Sequence, residues 1–395
     1  MKMPVIVQKF GGTSVGSIER IQEVAKQIIK AKNEGNQMVV VVSAMSGETN
    51  RLMDLATQVD SVPNARELDV LLTAGEQVSM ALLSMAINKL GNKATSLTGL
   101  QAGITTDSLH NDATIRSIDT QNILRLLNDD HIVIVAGFQG VNEQGDITTL
   151  GRGGSDTSAV ALAGALDATE CQIYTDVDGI YTCDPRIVSN SQKLEVIDFL
   201  SMEEMARCGA KVLHLPCVQY AWKHNVALRV LSSFEGGEGT LVVGDKPCER
   251  IQGIAIQRDM TQLSILNSEL PILIDLCRML GIEAQCVIQD AEKAIVIVKR
   301  NASAKLELVF EEKIRNSEDV SLLTIVGNQA QGIASNSHGL LSAQSIDVFY
   351  HSAGSQSLML VLSPIHVDAA ANILHDAYIT AYEPSYYQQK EVHFG

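Results

Sequence analysis

Short apolar runs rich in Val and Ile recur through the N-terminal part of the chain, at residues 4–10 (PVIVQKF), 38–45 (MVVVVSAM), 131–138 (HIVIVAGF), 171–177 (CQIYTDV) and 226–232 (VALRVLS). They are continuous rather than alternating, so both faces of each strand are expected to be covered, as in a parallel sheet. Helical spacing fills the gaps. Val15, Ile18, Ile21, Val24, Ile28 and Ile29 fall on one helical side, with Glu19, Arg20, Lys26 and Lys30 on the other. Leu68 to Leu90 and the Ala-rich stretch Thr157 to Leu166 form two further helical regions. Strands alternating with helices predict an α/β chain, built as a three-layer αβα sandwich across residues 1–245.

The pattern changes after residue 232. FEGGEG and GDKPCER are Gly-rich and charged, and read as a linker over residues 233–250. An approximate repeat follows. Residues 261–298 order as strand (TQLSIL), helix (ILIDLCRML), strand (EAQCVIQ) and strand (KAIVIVK). Residues 320–362 repeat that order as VSLLTIV, GIASNSHGLL, IDVFYHS and SLMLVL, and a last helix, HVDAAANILHDAY, comes after them. Two small ferredoxin-like βαββ modules are expected, at residues 250–315 and 316–382, with an aperiodic tail at 383–395. Edge strands and an open face on such modules predict self-association into a homo-oligomer.

Composition narrows the class. Of 395 residues, 46% are apolar, enough for more than one core. The formal charge of −16 repels phosphate backbones and anionic bilayers, so neither nucleic acid nor membrane is expected as a partner. The seven cysteines are scattered without a C-x-x-C pair, which predicts buried thiols rather than a disulfide framework. The first ten residues are too short and charged for a signal segment, and no apolar run reads as membrane-spanning in length. A soluble cytoplasmic protein is the expectation.

The candidate chemistry gathers where predicted strands end. Lys9-Phe10-Gly11-Gly12-Thr13-Ser14 lies between the first strand and first helix. Adjacent glycines admit a ligand to the backbone, the helix N-terminus offers N–H groups, and Lys9 adds a charge, so the segment reads as an anion cradle. It is neither a Walker A loop nor a dinucleotide fingerprint. In Gly151-Arg152-Gly153-Gly154-Ser155-Asp156, Arg152 can clamp a carboxylate or phosphate while Gly153, Gly154 and Ser155 present donors at a helix start. Asp156 there can cap the helix, orient Lys9 or face a substrate ammonium. Residues 175–186, TDVDGIYTCDPR, fail the EF-hand spacing and fit a nucleotide loop better, with Arg186 near phosphates and Tyr181 near base or ribose. Ser43 and Thr49 are candidate hydroxyl donors, and Glu76 a candidate partner for a substrate amine. The histidines show no metal-ligand spacing.

KFGGTS, VSAM, TAGE, GRGGSD, TDVDGIYTCDPR and GAKVLH, in that order, resemble the aspartokinases, specifically the single-function bacterial type with two C-terminal ACT modules. The resemblance covers residues 4 to about 245 almost continuously and fades beyond. It implies the amino-acid kinase fold, followed by ACT-type modules. It implies phosphorylation of the L-aspartate side-chain carboxylate by ATP with Mg²⁺, giving L-4-aspartyl phosphate, the first step toward lysine, threonine and methionine. By position, it implies that Lys9 contacts the transferring phosphate and that Ser43, Gly11 and Gly12, beside Phe10, line the phosphate path. Arg152 should hold the aspartate α-carboxylate, Glu76 its amino group and Thr49 should support it, while Asp156 organises Lys9. Thr175, Asp176, Tyr181, Arg186, Lys211 and Val212 should form the nucleotide site. These roles suit phosphoryl transfer, in which the protein mainly positions reactants and neutralises charge.

Three departures from the family pattern all follow residue 260, in the first module, in the second module and in an unfamiliar tail after residue 382. Asn267-Ser268-Glu269-Leu270-Pro271-Ile272 stands where an Asp-x-Pro-Gly turn is usual. Ser345-Ile346 replaces Asn-Ile, and Tyr350-His351-Ser352-Ala353 replaces Ser-Thr-Ser-Glu. A β-branched Ile272 disfavours positive φ, and Ala353 removes a carboxylate, so weak or altered end-product regulation is expected. Competing readings are a kinase of glutamate or N-acetylglutamate, a non-catalytic regulatory subunit and a nucleotide sensor. Glu76 with Arg152 favours a free α-amino acid over the first, and intact Lys9, Arg152, Asp156 and Arg186 favour turnover over the others.

Overall fold

The computed structural model describes residues 3–245, 250–289 and 291–380. The chain divides into two compact units. The first comprises Met1–Ile180, Lys193–Glu203 and Lys211–Asp245; the second comprises Tyr181–Gln192, Glu204–Ala210 and Lys246–Gly395. The expected tail at 383–395 lies outside the described residues.

The first half of unit one runs β1 (Val5–Phe10), α1 (Ile18–Asn33), β2 (Gln37–Val42), α2 (Glu48–Val59), α3 (Ala65–Lys89), β3 (Ala94–Leu97), β4 (Ile104–Thr106), β5 (Ile115–Ile118) and α4 (Gln121–Asn128). It continues through β6 (Ile132–Ala136), β7 (Gln139–Val141), β8 (Ile147–Thr149), α5 (Gly154–Ala165), β9 (Glu170–Thr175), β10 (Val196–Ile197), α6 (Phe199–Arg207, whose last residues group with the second unit), α7 (Leu215–Lys223), β11 (Leu228–Ser232) and β12 (Thr240–Val242). Eight strands form one sheet in the order β10-β12-β11-β9-β1-β2-β6-β3, and β5-β4-β7-β8 form a smaller one. The five apolar runs are the middle of the large sheet. β1, β2, β6, β9 and β11 pair in parallel, as their unbroken burial requires.

Helices close the layers. Ser17 caps α1 by accepting the Arg20 N–H, and its Ile21, Val24, Ala25 and Ile28 stripe packs with Phe10, Val40 and Ile134 in the core. α3 corrects one expectation. With 25 residues it is long and apolar enough to cross a bilayer, but half of its most apolar window is buried inside the protein. Leu83 and Ile87 of this helix belong to the same core as α1. Its apolar character is that of a helix packed on several sides.

Unit two contains β13 (Ile251–Leu266), α8 (Leu270–Met279), β14 (Ala284–Gln289), β15 (Lys293–Lys299), α9 (Arg300–Phe310), β16 (Asn316–Gly327), α10 (Ala334–Ser342), β17 (Val348–Ala353), β18 (Ser357–Leu362) and α11 (Val367–His375). Its strands join in a single antiparallel sheet, β14-β15-β13-β16-β18-β17. β13 serves two cores. Leu263 and Ile265 pack with Leu273, Val296 and Phe310, whereas Ile254 packs with Leu323, Leu360 and Leu374. α9 adds a helix to the expected βαββ order of the first module, burying Ser303, Leu306 and Phe310 at helical spacing. Pro271 opens α8 and Ile272 lies within it, so no positive φ arises there. The five described cysteines whose state is defined, Cys171, Cys183, Cys208, Cys217 and Cys277, are free and buried. Burial pushes the Cys183 thiol up to about 11, which keeps it unreactive.

The expected linker over residues 233–250 is corrected in its first half. FEGGEG is the corner of a hairpin, because β12 returns antiparallel to β11 and pairs with it from Thr240 to Val242. Gly239 makes the corner possible. It is left-handed (φ +65), and a Cβ there would lie 1.9 Å from the Val230 carbonyl oxygen. Gly239→Ala is expected to destabilise the protein by at least about 1–3 kcal/mol, the cost of a strained backbone position, read as a lowered urea midpoint. A flexible linker at this place would leave the midpoint unchanged.

Candidate active site

Four parallel strands end side by side in the order β9-β1-β2-β6, and Lys9, Phe10, Gly11, Gly12, Ser43, Thr175 and Asp176 lie at or just beyond the carboxyl ends of β1, β2 and β9. In an open α/β sheet this edge is where loops lead into helix N-termini and ligands bind. β1 delivers Lys9 and then Phe10. Phe10 is fully buried and stacks on Tyr174 of β9 with ring centroids 4.6 Å apart, which anchors the strand end. The neighbouring side chain of a strand points to the opposite face. There Lys9 Nζ lies 2.6 Å from Asp156 Oδ1, and the two side chains are only 11% and 8% exposed. Asp156 stands in the first turn of α5, where the helix dipole favours a carboxylate. A Cβ on Gly11 would sit 3.6 Å from Lys9 Nζ, so the ammonium group faces the Gly11-Gly12 turn.

β2 leads to the half-buried Ser43, whose N–H donates to the Phe10 carbonyl at 3.1 Å. Thr49 is exposed in the first turn of α2. Glu76 reaches the same loop from α3. A glycine inside a helix costs about 1 kcal/mol relative to alanine, and Gly75 has a reason to be there. A Cβ on it would lie 2.8 Å from Ala44 Cβ, so glycine lets α3 approach the loop after β2. Glu76 Oε1 then accepts the Ala44 N–H at 3.1 Å, while Oε2 is buried without a partner among the described residues. Burial raises this carboxyl from 4.5 to about 7.

Gly151 and Gly153 are both left-handed and turn the chain into α5. Arg152 between them is exposed, and makes no hydrogen bond or ion pair among the described residues. Gly154, Ser155 and Asp156 are buried in the opening turn of α5. Thr175 ends β9 and donates its hydroxyl to Asp176 Oδ1 at 3.0 Å. Lys211 is exposed and Val212 half-buried just before α7. Tyr181 and Arg186 belong to the second unit. There the Arg186 guanidinium lies 2.7 Å from Asp184 Oδ2 and holds that carboxyl below its ordinary range.

A carboxylate-paired lysine at a glycine turn, a free arginine fork and a buried acid together provide for two anions and an ammonium group. Residues 4–232 match the amino acid kinase family. The chain is 45% identical to the aspartate kinase of Pseudomonas putida, over 95% of this chain and 98% of that one. It is 41% identical to the aspartokinase of Geobacillus stearothermophilus, over 96% and 98% respectively. Its fold matches the crystal structure of Escherichia coli aspartokinase III in complex with aspartate and ADP, with a TM-score of 0.78 over 94% of this chain and 99% of that one, at 24% identity. The chain belongs to the aspartate kinases of the amino acid kinase family.

Two neighbours of this aspartate kinase site are not evident from sequence. Phe138 adopts a left-handed φ of 68°, unusual for an aromatic residue, at the end of β6. Its N–H donates to Ser158 Oγ and its carbonyl accepts the Leu150 N–H, which fastens it to α5 and to the turn before Arg152. His214 lies against Gly153, where a Cβ would fall 2.4 Å from the ring. The motif GAKVLH contains this histidine, but only the folded chain brings it to the arginine turn.

Glu76 generates a prediction. Its raised folded-state pKa makes its contribution to stability most favourable below pH 4.5, declining up to about pH 7 and flat above. The ionised form therefore costs the ligand-free protein about 3 kcal/mol at pH 8. Glu76→Gln should raise the melting temperature at pH 8, and the gain should shrink as pH approaches 5. Equal or lower stability of the variant at pH 8 would mean that the charge is compensated.

Proposed function

We propose that this chain transfers the γ-phosphoryl group of ATP to the side-chain carboxylate of L-aspartate, giving L-4-aspartyl phosphate on the route to lysine, threonine and methionine. The observation that carries this reading is the buried Lys9–Asp156 pair beside the glycine turn at the end of β1. A carboxylate oxygen attacks the γ-phosphorus, the bond to the bridging oxygen breaks, and ADP leaves. The nucleophile is ionised at neutral pH, so no general base is required. What must be overcome is repulsion between two anions, and Lys9 with aimed N–H groups does this. Asp156 positions Lys9. Ser43, Phe10, Gly11 and Gly12 border the phosphate path.

Arg152 takes the α-carboxylate, assisted by donors of Gly153, Gly154 and Ser155. Glu76, through Oε2, takes the ammonium group, and Thr49 supports the substrate from α2. Thr175, Asp176, Lys211 and Val212 of the first unit serve the nucleotide. Among the described residues no group of three or more His, Cys, Asp or Glu could hold a metal. Mg²⁺ would come with the nucleotide and would offset charge on its phosphates. The reading fits the E. coli relative, whose structure contains aspartate and ADP, and a cytoplasmic enzyme.

The C-terminal modules serve assembly in this proposal. Met279, Leu308 and Val309 on α8 and α9 are 84%, 85% and 64% exposed, an apolar set that a second copy would cover. Ala353 and exposed His351 at β17 offer no carboxylate to an effector ammonium group, so feedback by lysine or threonine is weak.

Purified protein with MgATP and aspartate should form acyl phosphate trapped by hydroxylamine, and glutamate should react poorly because an extra methylene misplaces its carboxylate. Lys9→Met should lower kcat far more than it raises the aspartate KM, and Arg152→Ala should do the reverse. Equal turnover of glutamate, or near-normal kcat in Lys9→Met, would refute these assignments. Light scattering should find a homo-oligomer at micromolar concentration, insensitive to lysine and threonine. A monomer, or submillimolar inhibition by either amino acid, would refute the account of the C-terminal modules.

A further inference from the structure

Asp69 is a fully buried carboxylate two helical turns before Glu76, and nothing in the mechanism above uses it. On α3 it precedes Thr73 and Glu76 by one and two turns, so all three look the same way. Its oxygens are saturated. Oδ1 accepts the Thr149 hydroxyl at 2.5 Å and the Asn111 N–H at 3.1 Å, and Oδ2 lies 2.6 Å from His110 Nδ1. These partners sit 41 to 80 residues away along the chain. A carboxylate so fully bonded has no lone pair to spare for substrate, and its role must pass through what it holds.

It holds the arginine turn. Thr149 is the last residue of β8, and the chain then runs Leu150-Gly151-Arg152. The segment beside His110 braces the turn from its other side. Ala113 N–H donates to the Thr149 carbonyl at 2.8 Å, and a Cβ on Gly151 would fall 2.7 Å from Asp112 Oδ1. Asn111 is left-handed (φ 66), a conformation that its N–H bond to Asp69 secures. One buried carboxylate thus ties together the helix bearing Glu76, the loop 110–112 and the turn bearing Arg152.

We propose that Asp69 is a positioning residue for the amino-acid substrate: it fixes the distance between Arg152, which takes the α-carboxylate, and Glu76, which takes the ammonium group. The pair then measures a free α-amino acid. This rests on the substrate reading above. It does not touch the nucleotide side, because the Lys9 pair and the β9 end are held by other contacts.

Asp69→Asn keeps the shape but turns one accepting oxygen into a donor facing donors. It should raise the aspartate KM roughly tenfold, with kcat within about threefold and the ATP KM within about twofold of the parent. In an Arg152→Ala background the same substitution should add almost nothing to the aspartate KM, because its effect passes through the lost arginine. Thr149→Val removes a single donor, and should show the same selective pattern on a smaller scale if Asp69→Asn does not fold. A rise in aspartate and ATP KM together, or a full additive penalty in the Arg152→Ala background, would overturn the proposal. So would unchanged aspartate KM in a folded Asp69→Asn. Parent enzyme with no aspartate turnover would instead overturn the substrate reading and this inference with it.

Discussion

The site is organised by the need to keep a lysine charged where little water reaches it. A buried ion pair is a poor source of stability, since removing both charges from water costs about as much as their attraction returns. Lys9 and Asp156 are held at 2.6 Å in such a place. Their positions come from two different elements, the end of β1 and the first turn of α5, so the pair exists only when strand and helix are in register. Phe10 stacked on Tyr174 fixes the strand side. The Gly151–Gly153 turn and the left-handed Phe138 fix the helix side.

Burial also explains which parts were legible in the amino-acid order. β15 and β18 coincide with apolar runs, and β1 follows its run within a residue, because burial on both faces leaves an unbroken run. The strand ends at Lys9, Ser43 and Thr175 are marked in the sequence because charge, hydroxyl or glycine breaks a largely apolar run, unbroken only for Met38–Val42 before Ser43. Local contrast carries little about partners distant in sequence. Asp69 reads as a polar interruption in α3 until Thr149 and His110 fold onto it. His214 similarly needs Gly153.

Where local composition was ambiguous, geometry decided. Gly-rich FEGGEG fits either a linker or a hairpin corner, and the alternatives differ only in whether β12 finds β11. α3 has the length and apolarity of a membrane span, yet packs against α1, α2 and strands of both sheets of its unit. α9 went unread because its buried positions, Ser303, Leu306 and Phe310, are diluted by Lys305 and Glu307 and include a serine.

Packing and sequence similarity divide the chain at different places. Residues 4–232 match the kinase family, but Tyr181–Gln192 groups by its contacts with the C-terminal unit. Specific bonds hold it there. Thr182 shares a hydrogen bond with His375 of α11 at 2.8 Å, its carbonyl accepts the Ile254 N–H at 2.7 Å, and the Ile187 carbonyl accepts from Asn372. His375 is wholly buried, and burial lowers its pKa below the ordinary imidazole value. It therefore stays neutral, with its other nitrogen 3.2 Å from Thr380 Oγ1. β13 enters both C-terminal cores, and the second core takes Ile254 of β13 together with Cys183 and Val188, so it is not built from residues 316–382 alone. The segment with Tyr181 and Arg186 is thus packed into a unit whose two cores are knit by one strand. A change in either core acts on the fold that holds this segment, while Lys9 and Asp156 are set by the separate sheet of the first unit.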